Sequence, residues 1–510
     1  CNRSWPKHLL LIAALRFVVR WRAMSSPPPL VGSGTTGCDA AAVARFQDFL
    51  RIPSVSGDGP DGSYSTAVKW LVSQCRDALG DSASVRCVEP VPKKPIVIAT
   101  LPGQDSSLPC IVLNSHYDVV PVMRDHWCCD PFAADIRDGY VGPQVPADMP
   151  PAGPCVYGRG AQDMKCVCVQ YLEAIRRLRQ RPQGWMPLRT IHLTFVPDEE
   201  IGGTDGMGAF LKTEDFASMQ PIAFALDEGL ANPRDAFTVF YGERTPWWIL
   251  VRAEGPTGHG SRFIQSTALE KLISVINKAL AFRREQEQAL GWHSHAGCKH
   301  SQAKKLGDVT TLNVTMLKGG VSCDGGRTYA LNVIPTEMEA GFDVRISPNL
   351  ATADFKAKFD EWCSAEGLSW KFAPWTTPLH QHHLTETDRA KNPFWGIFED
   401  ACSAKGTKVE REIFPAGTDS RFLRALGVQA IGFSPMASTP ILLHEHNEAL
   451  SVATFLRGVE VYEEIIDRLG TTLRQDGEPP VANGSQKRCA PAAAANGQAD
   501  DDRRAKVPKV

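Results

Sequence analysis

Three short apolar runs, each stopping on acids, constrain this chain more than any other feature. CIVLNSHYD (Cys110–Asp118), RTIHLTFVPDEE (Arg189–Glu200) and IAFALDEG (Ile222–Gly229) predict buried strands. Between the first two, DMKCVCVQYLEAIRRLRQ (Asp163–Gln180) predicts a helix with an acidic start and a basic end, as the helix dipole favours. Strand alternating with helix predicts an α/β domain with a largely parallel sheet. A buried strand does not end on three acids without a reason, because unpaired buried carboxylates are costly. For FVPDEEIGG (Phe195–Gly203) two readings stand: a solvated loop, or acids facing a metal or another charge at the carboxyl edge of the sheet.

From about Thr245 the pattern changes. WWILVRAEG, the helical run LEKLISVINKALAFRREQEQ, then VTTLNVTMLKGG, EMEAGFDVRIS and a second helix near Asp354–Glu366 predict a smaller α+β insert. Afterwards NPFWGIFEDACSAKG, VQAIGFSP and the amphipathic ALSVATFLRGVEVYEEIIDRLG resume the first pattern. The expected organisation is an N-terminal segment over 1–37, a first part of the main α/β domain over 38–244, the insert over 245–374, a second part of the main domain over 375–475 and a disordered tail over 476–510. The tail is rich in Ala, Pro, Gly and charge, with almost nothing to bury. HLLLIAALRFVV (His8–Val19) is apolar, but Arg16 interrupts it and it is too short to span a bilayer. Met24 is the more natural start, so the leading segment is expected to lie outside the mature protein.

A chain of 510 residues, 43% of them hydrophobic, can bury a core without staples. Lys plus Arg number 55 against 57 Asp plus Glu, so no global field steers it to nucleic acid or an acidic membrane surface. Its 15 cysteines show no CxxC pair of zinc-finger spacing and fit free thiols in a reducing, cytoplasmic setting. No GxSxG elbow or Walker loop occurs, which leaves serine-hydrolase and nucleotide-binding readings without support.

Three strand ends carry metal-type side chains: His116 with Asp118, Glu199 with Glu200, and Asp227 with Glu228. Asp163 follows the glycine-bearing YGRGAQ turn at a helix start, where a capping role is also open to it. LLHEHNE adds His444, His446 and Glu448. In an open α/β sheet, residues at the carboxyl ends of neighbouring strands converge on one crevice. Singly each has a bland explanation; together they supply the parts of a two-metal site.

SHYDVVPV, YGRGAQDMK, FVPDEEIGG, FALDEG and LLHEHNE together resemble the dinuclear zinc M20 metallopeptidase/amidohydrolase family, relatives of carboxypeptidase G and acetylornithine deacetylase. The likeness runs from about Ala41 to Leu469 and is closest to members that cleave N-acyl-L-amino acids. It implies a zinc-exopeptidase-like catalytic domain with a mixed, largely parallel sheet, interrupted by a lid and dimerisation domain, and two Zn2+ per subunit. By the same resemblance Asp163 bridges the ions, His116 and Glu228 complete one, and Glu200 and His444 the other. His444 is preferred to His446 because it stands four residues before Glu448, the family's spacing. Glu199 is the implied general acid/base, with Asp118 orienting His116 through its second ring nitrogen. Asp198 needs no role and is expected to be solvated. His259 in GPTGHGSRF, Asn332 in NVIP, Arg345 in DVR and Arg421 in AGTDSR match substrate-binding positions.

These types suit the chemistry. Two close cations need a shared carboxylate, neutral imidazole and carboxylate suit zinc, and cobalt or manganese bind similar donors. Adjacent Glu199 and Glu200 point to opposite faces of a regular strand, so a turn into Gly202–Gly203 lets one reach a metal while the other faces water. The implied partners are a small N-acyl amino acid and a second copy of the chain, with no nucleic acid and no membrane. A dipeptidase or carboxypeptidase shares this chemistry, and a non-catalytic binding protein is the reading from another class; the presence of Glu199 argues against the latter. Two stretches depart from the family pattern, SCDGGRTYAL (Ser322–Leu331) and GPQVPADMPPAGP (Gly142–Pro154), the second expected to bulge from the surface. The histidines of GWHSHAGCKH and HQHH are expected in solvated loops.

Overall fold

The computed structural model describes residues 37–57, 62–290, 305–374, 378–476 and 478. The apolar run at His8–Val19, the GWHSHAGCKH loop and nearly all of the predicted tail lie outside these residues.

The acid-tipped runs do form neighbouring strands. Ile191–Val196, Cys110–His116, Ile222–Asp227 and Ala430–Phe433 lie side by side and parallel, in that order. Antiparallel Ser84–Val88 and Ile96–Leu101 extend one edge, and Ala236–Glu243 with Lys408–Phe414 the other, giving eight strands in a mixed, largely parallel sheet. Both faces are covered, which is why these runs are continuously apolar. Side chains alternate between two cores: Val97, Ala99, Leu113, Leu193 and Phe195 meet the long helices Lys165–Arg179 and Val452–Thr471, while Ile96, Ile98, Val112 and Val196 meet Met207–Phe210 and Ser420–Ala425.

The Lys165–Arg179 helix is almost wholly buried and ends on Arg176, Arg177 and Arg179. Its acidic start is not observed. Asp163 precedes the first turn and no side chain caps it, because the Asp163 carboxylate is used elsewhere.

The insert is a separate antiparallel sheet, ordered Thr311–Gly319, Glu337–Ile346, Thr245–Glu254, Leu368–Phe372. Trp247, Ile249, Val251 and Ala253 turn one face toward the helices Ala268–Ala289 and Thr352–Trp362. A capping box, Thr267 with Glu270, starts the longer helix. Ser322–Leu331 forms an exposed loop wound on Asp324, whose carboxylate accepts from Arg327 N and Thr328 N at 2.9 Å each. In HQHH, His382 corrects the solvated reading: it is half-buried, its ring nitrogens 3.0 Å from Thr245 Oγ1 and 2.9 Å from the Leu350 carbonyl.

Beyond the last long helix, Arg189 binds the closing segment. This fully buried guanidinium donates to the carbonyls of Thr472 (2.8 Å) and Leu473 (2.7 Å) and pairs with Glu478 (2.7 and 3.1 Å). Among the described residues no helix is long and apolar enough to cross a membrane.

Candidate metal centre

The parallel strands end in one place, and their acids meet there. His116 closes its strand, and its Nε2 lies 3.1 Å from Asp163 Oδ1 and 3.2 Å from Glu228 Oε2, just past the neighbouring strand. His444 Nε2 lies 3.2 Å from Asp163 Oδ2 and 2.8 Å from Glu200 Oε2. Asp163 thus offers one oxygen to each histidine. Donor atoms of Glu199, His116 and Glu228 also lie within 4.8 Å of one another. All are buried or nearly so except His444, whose side chain is 51% exposed and marks the open side.

Glu199 and Glu200 reach opposite parts of this cluster because the strand breaks between them and the core. Asp198 adopts a left-handed φ of 62°, and Glu199–Ile201 is one tight turn closed by Gly202 and Gly203 at φ 103° and 62°. Asp118 secures that turn: its carboxylate accepts from Glu199 N (3.2 Å), Glu200 N (3.3 Å) and Ser56 Oγ (2.6 Å). The nearest acceptor to His116 Nδ1 is the Asp118 carbonyl at 3.0 Å, with the carboxylate at 3.5 Å. Asp118 thus faces His116 Nδ1 with both its carbonyl and its carboxylate, and the same carboxylate holds the turn. Asp198 is not solvated as expected. It is buried, accepts from Tyr64 Oη at 2.6 Å and pairs with Lys94.

Negative charge is in excess here. Burial pushes the Glu199 carboxyl well above its usual range, and the charges of Asp419 and Glu200 add to this. Burial and the Asp163 charge raise Glu200 to about 7, and burial with Glu199 and Asp163 raises Glu228. Burial opposes ionisation of Asp163 as well, but hydrogen bonds from His116 and His444 outweigh it and hold that carboxyl below its usual range. Hydrogen bonds to Asp163 and Glu200 raise His444 to about 10. Among the described residues no lysine or arginine is hydrogen-bonded or ion-paired to these four carboxylates, and Glu200 Oε1 is buried with no hydrogen-bond partner. Oxygen and imidazole donors around a deficit of positive charge fit divalent cations.

The four substrate-binding expectations divide. Arg421 reaches the site, donating to the Gly202 carbonyl at 2.7 Å. His259 and Asn332 are brought together on a short ribbon of the insert, Gly258–His259 against Val333–Ile334, both exposed. Arg345 pairs with Asp343 at 2.8 and 3.0 Å. No hydrogen bond or ion pair links His259, Asn332 or Arg345 to the acid–histidine cluster among the described residues.

Two groups take places that the sequence did not indicate. Asp419 is fully buried beside the cluster, with neither carboxylate oxygen hydrogen-bonded. Glu448, grouped with the metal-type residues of LLHEHNE, instead turns its buried carboxylate to the backbone of the Asp163 loop. For Asp419 the available signal was an acid beside the glycine-bearing turn of AGTDSR.

Comparison with known proteins agrees with this architecture. Aminoacylase-1 of Dictyostelium discoideum is 44% identical over 428 residues, covering 84% of this chain and 97% of that protein. Human aminoacylase-1 is 44% identical over 434 residues, 84% and 95% of the two chains. Among solved structures, an M20 family metallo-carboxypeptidase of Sulfolobus solfataricus matches with a TM-score of 0.58 at 15% identity, over 84% of this chain and 98% of that one. A dinuclear metal-binding M20 peptidase of Bacillus subtilis matches at 0.56 and 13%, over 85% and 98%. The family profile described as peptidase family M20/M25/M40 matches residues 112–468, from the strand that ends on His116 into the last helix, and the chain belongs to that family.

Proposed function

We propose that this protein hydrolyses N-acyl-L-amino acids to a carboxylate and a free L-amino acid, with two zinc ions per subunit. The observation that carries the two-ion reading is Asp163, which turns one oxygen to His116 and the other to His444. The substrate class follows from 44% identity, over nearly their whole lengths, to proteins named aminoacylase-1.

In this reading His116, Asp163 and Glu228 hold one ion, and His444, Asp163 and Glu200 the other. When bound, such a pair polarises the amide carbonyl and makes water acidic enough to attack near neutral pH. Glu199 takes the proton of the attacking water and returns it to the leaving nitrogen, as its buried place beside His116 and Glu228 favours. Asp118 holds the Glu199–Glu200 turn in place. Arg421, Arg345, Asn332 and His259 recognise the carboxylate and carbonyl of the substrate, arginine because its planar fork matches a carboxylate. The insert acts as lid and dimerisation domain, so the working form is a homodimer. The scattered free cysteines support a cytoplasmic setting.

Hydrolysis of N-acetyl-L-methionine, beside an unblocked dipeptide, tests this with zinc-loaded wild type and Glu199→Gln. Expected are preference for the acetylated substrate and a loss of roughly 10²–10⁴-fold in kcat in the variant, with zinc retained. Preference for the dipeptide overturns the substrate class and leaves the site standing.

A further inference from the structure

Of the five proposed ligands, three ride on the main sheet. His116 ends one strand, and Glu200 and Glu228 follow two others. Asp163 and His444 do not; they lie on two loops, 158–163 and 440–448, far apart in sequence. Something other than the sheet must set their separation.

The loops do this by exchanging side chains. Glu448, fully buried, accepts from Gln162 N (2.6 Å) and Asp163 N (3.2 Å) on Oε1, and from Arg159 Nη1 (2.8 Å) and Gly160 N (3.0 Å) on Oε2. In return Gln162, 2% exposed, donates to the carbonyls of Pro440 (3.0 Å) and Ala449 (2.9 Å) and accepts from Leu442 N (2.9 Å). Arg159 also donates to the His444 carbonyl at 3.2 Å. Each loop thus satisfies backbone groups of the other, and the strand pairing of Tyr157 with Ala449 begins where the exchange ends.

We propose that Glu448 and Gln162 are positioning residues whose reciprocal clasp holds His444 against Asp163, so that the ion site of Asp163, Glu200 and His444 depends on the clasp while that of His116, Asp163 and Glu228 does not. The proposal rests on the two-ion reading above. Asp163 has anchors besides the clasp: Lys165 N donates to the Gly160 carbonyl, and the helix that follows is buried along nearly its whole length. His444 is exposed and left-handed (φ 62°), and outside the clasp its loop is tied by exposed contacts, Cys128 N to Asn447 Oδ1 (2.6 Å) and Gln144 Nε2 to Glu445 Oε1 (3.2 Å), with no buried helix directly behind it. Loss of the clasp therefore frees His444 first.

Full-length protein dialysed against graded Zn2+ concentrations, with bound zinc counted per chain, gives the test. Wild type is expected to hold two. Glu448→Gln and Gln162→Met are each expected to keep one at wild-type affinity and to bind the other 10–100-fold more weakly, the usual penalty for losing a partner behind a ligand. Their kcat on N-acetyl-L-methionine returns as zinc is raised. Arg189→Met, which breaks an equally buried ion pair outside the site, controls for general destabilisation: it lowers Tm and keeps both ions. Gln162→Met leaves the Glu448–Arg159 pair intact, so it carries the test if Glu448→Gln does not fold. A single ion in wild type overturns the two-ion reading and the clasp with it. Two in wild type, with both weakened equally or neither weakened in the folded variants, overturns the clasp alone.

Discussion

Asp118 shows how much a single acid near the cluster does without touching a substrate. Its side chain accepts two main-chain N–H groups of the turn that delivers Glu199 and Glu200. Asp118→Asn sets an amide NH2 against one of these donors. Hydrogen bonds to a charged group are worth about 1.5–3 kcal/mol, so kcat/KM is expected to fall roughly 10–100-fold, read by initial rates at fixed zinc. At this scale the sequence was legible for residue types and poorly legible for partners. His116, Glu199, Glu200 and Glu228 announced themselves by standing at strand ends. That Asp198 is buried was not visible, because Tyr64, its hydrogen-bond partner, lies 134 positions away. Likewise nothing in HYD shows that the carboxylate beside the histidine also pins a turn.

Elements were the most readable level, since burial writes itself into periodicity. The alternation in TPWWILVRAE became the alternating burial of the Thr245–Glu254 strand. The acid-ended runs became parallel neighbours. The polar end of a helix was less secure: Asp163 looked like a cap and is drawn off to two histidines. One polar residue inside a strand has a measurable consequence. His192, on Ile191–Val196, faces Thr100 Oγ1 at 2.9 Å; burial, then the Arg86 charge, lowers its pKa to about 4. An unfolded histidine titrates near 6.5, so the unfolded chain takes up this proton first as pH falls. The stability from keeping His192 neutral is complete above about pH 6.5 and is lost between there and about 4, staying lost below. At ~1.4 kcal/mol per pKa unit this is roughly 3 kcal/mol. Urea unfolding of wild type and His192→Asn should show the variant losing less stability by about that amount across the window.

At the scale of the molecule, the main sheet is assembled from both sides of the insert. Ala430–Phe433 lies between Ile222–Asp227 and Ala236–Glu243, and Lys408–Phe414 completes the edge. Sequence patterning announced two lobes and a return to the first, but not the interleaving, because strand order is decided by long-range pairing that no local window contains. The acids brought together this way repel, so the folded molecule should depend on what neutralises them. Chelation of the proposed ions is expected to lower Tm, with stability restored by zinc in proportion to the logarithm of its concentration, about 2.7 kcal/mol at 100 times the dissociation constant. Calorimetric scans at several zinc concentrations measure this directly. The Arg189 clamp has a consequence of its own for how short the polypeptide can be made. A stop codon after Gln475 spares every proposed ligand, yet strands a desolvated guanidinium whose counter-ion sits 289 positions downstream. Such a truncation should cost several kcal/mol and yield insoluble material, whereas a stop after Glu478 should purify and turn over substrate like the full-length enzyme.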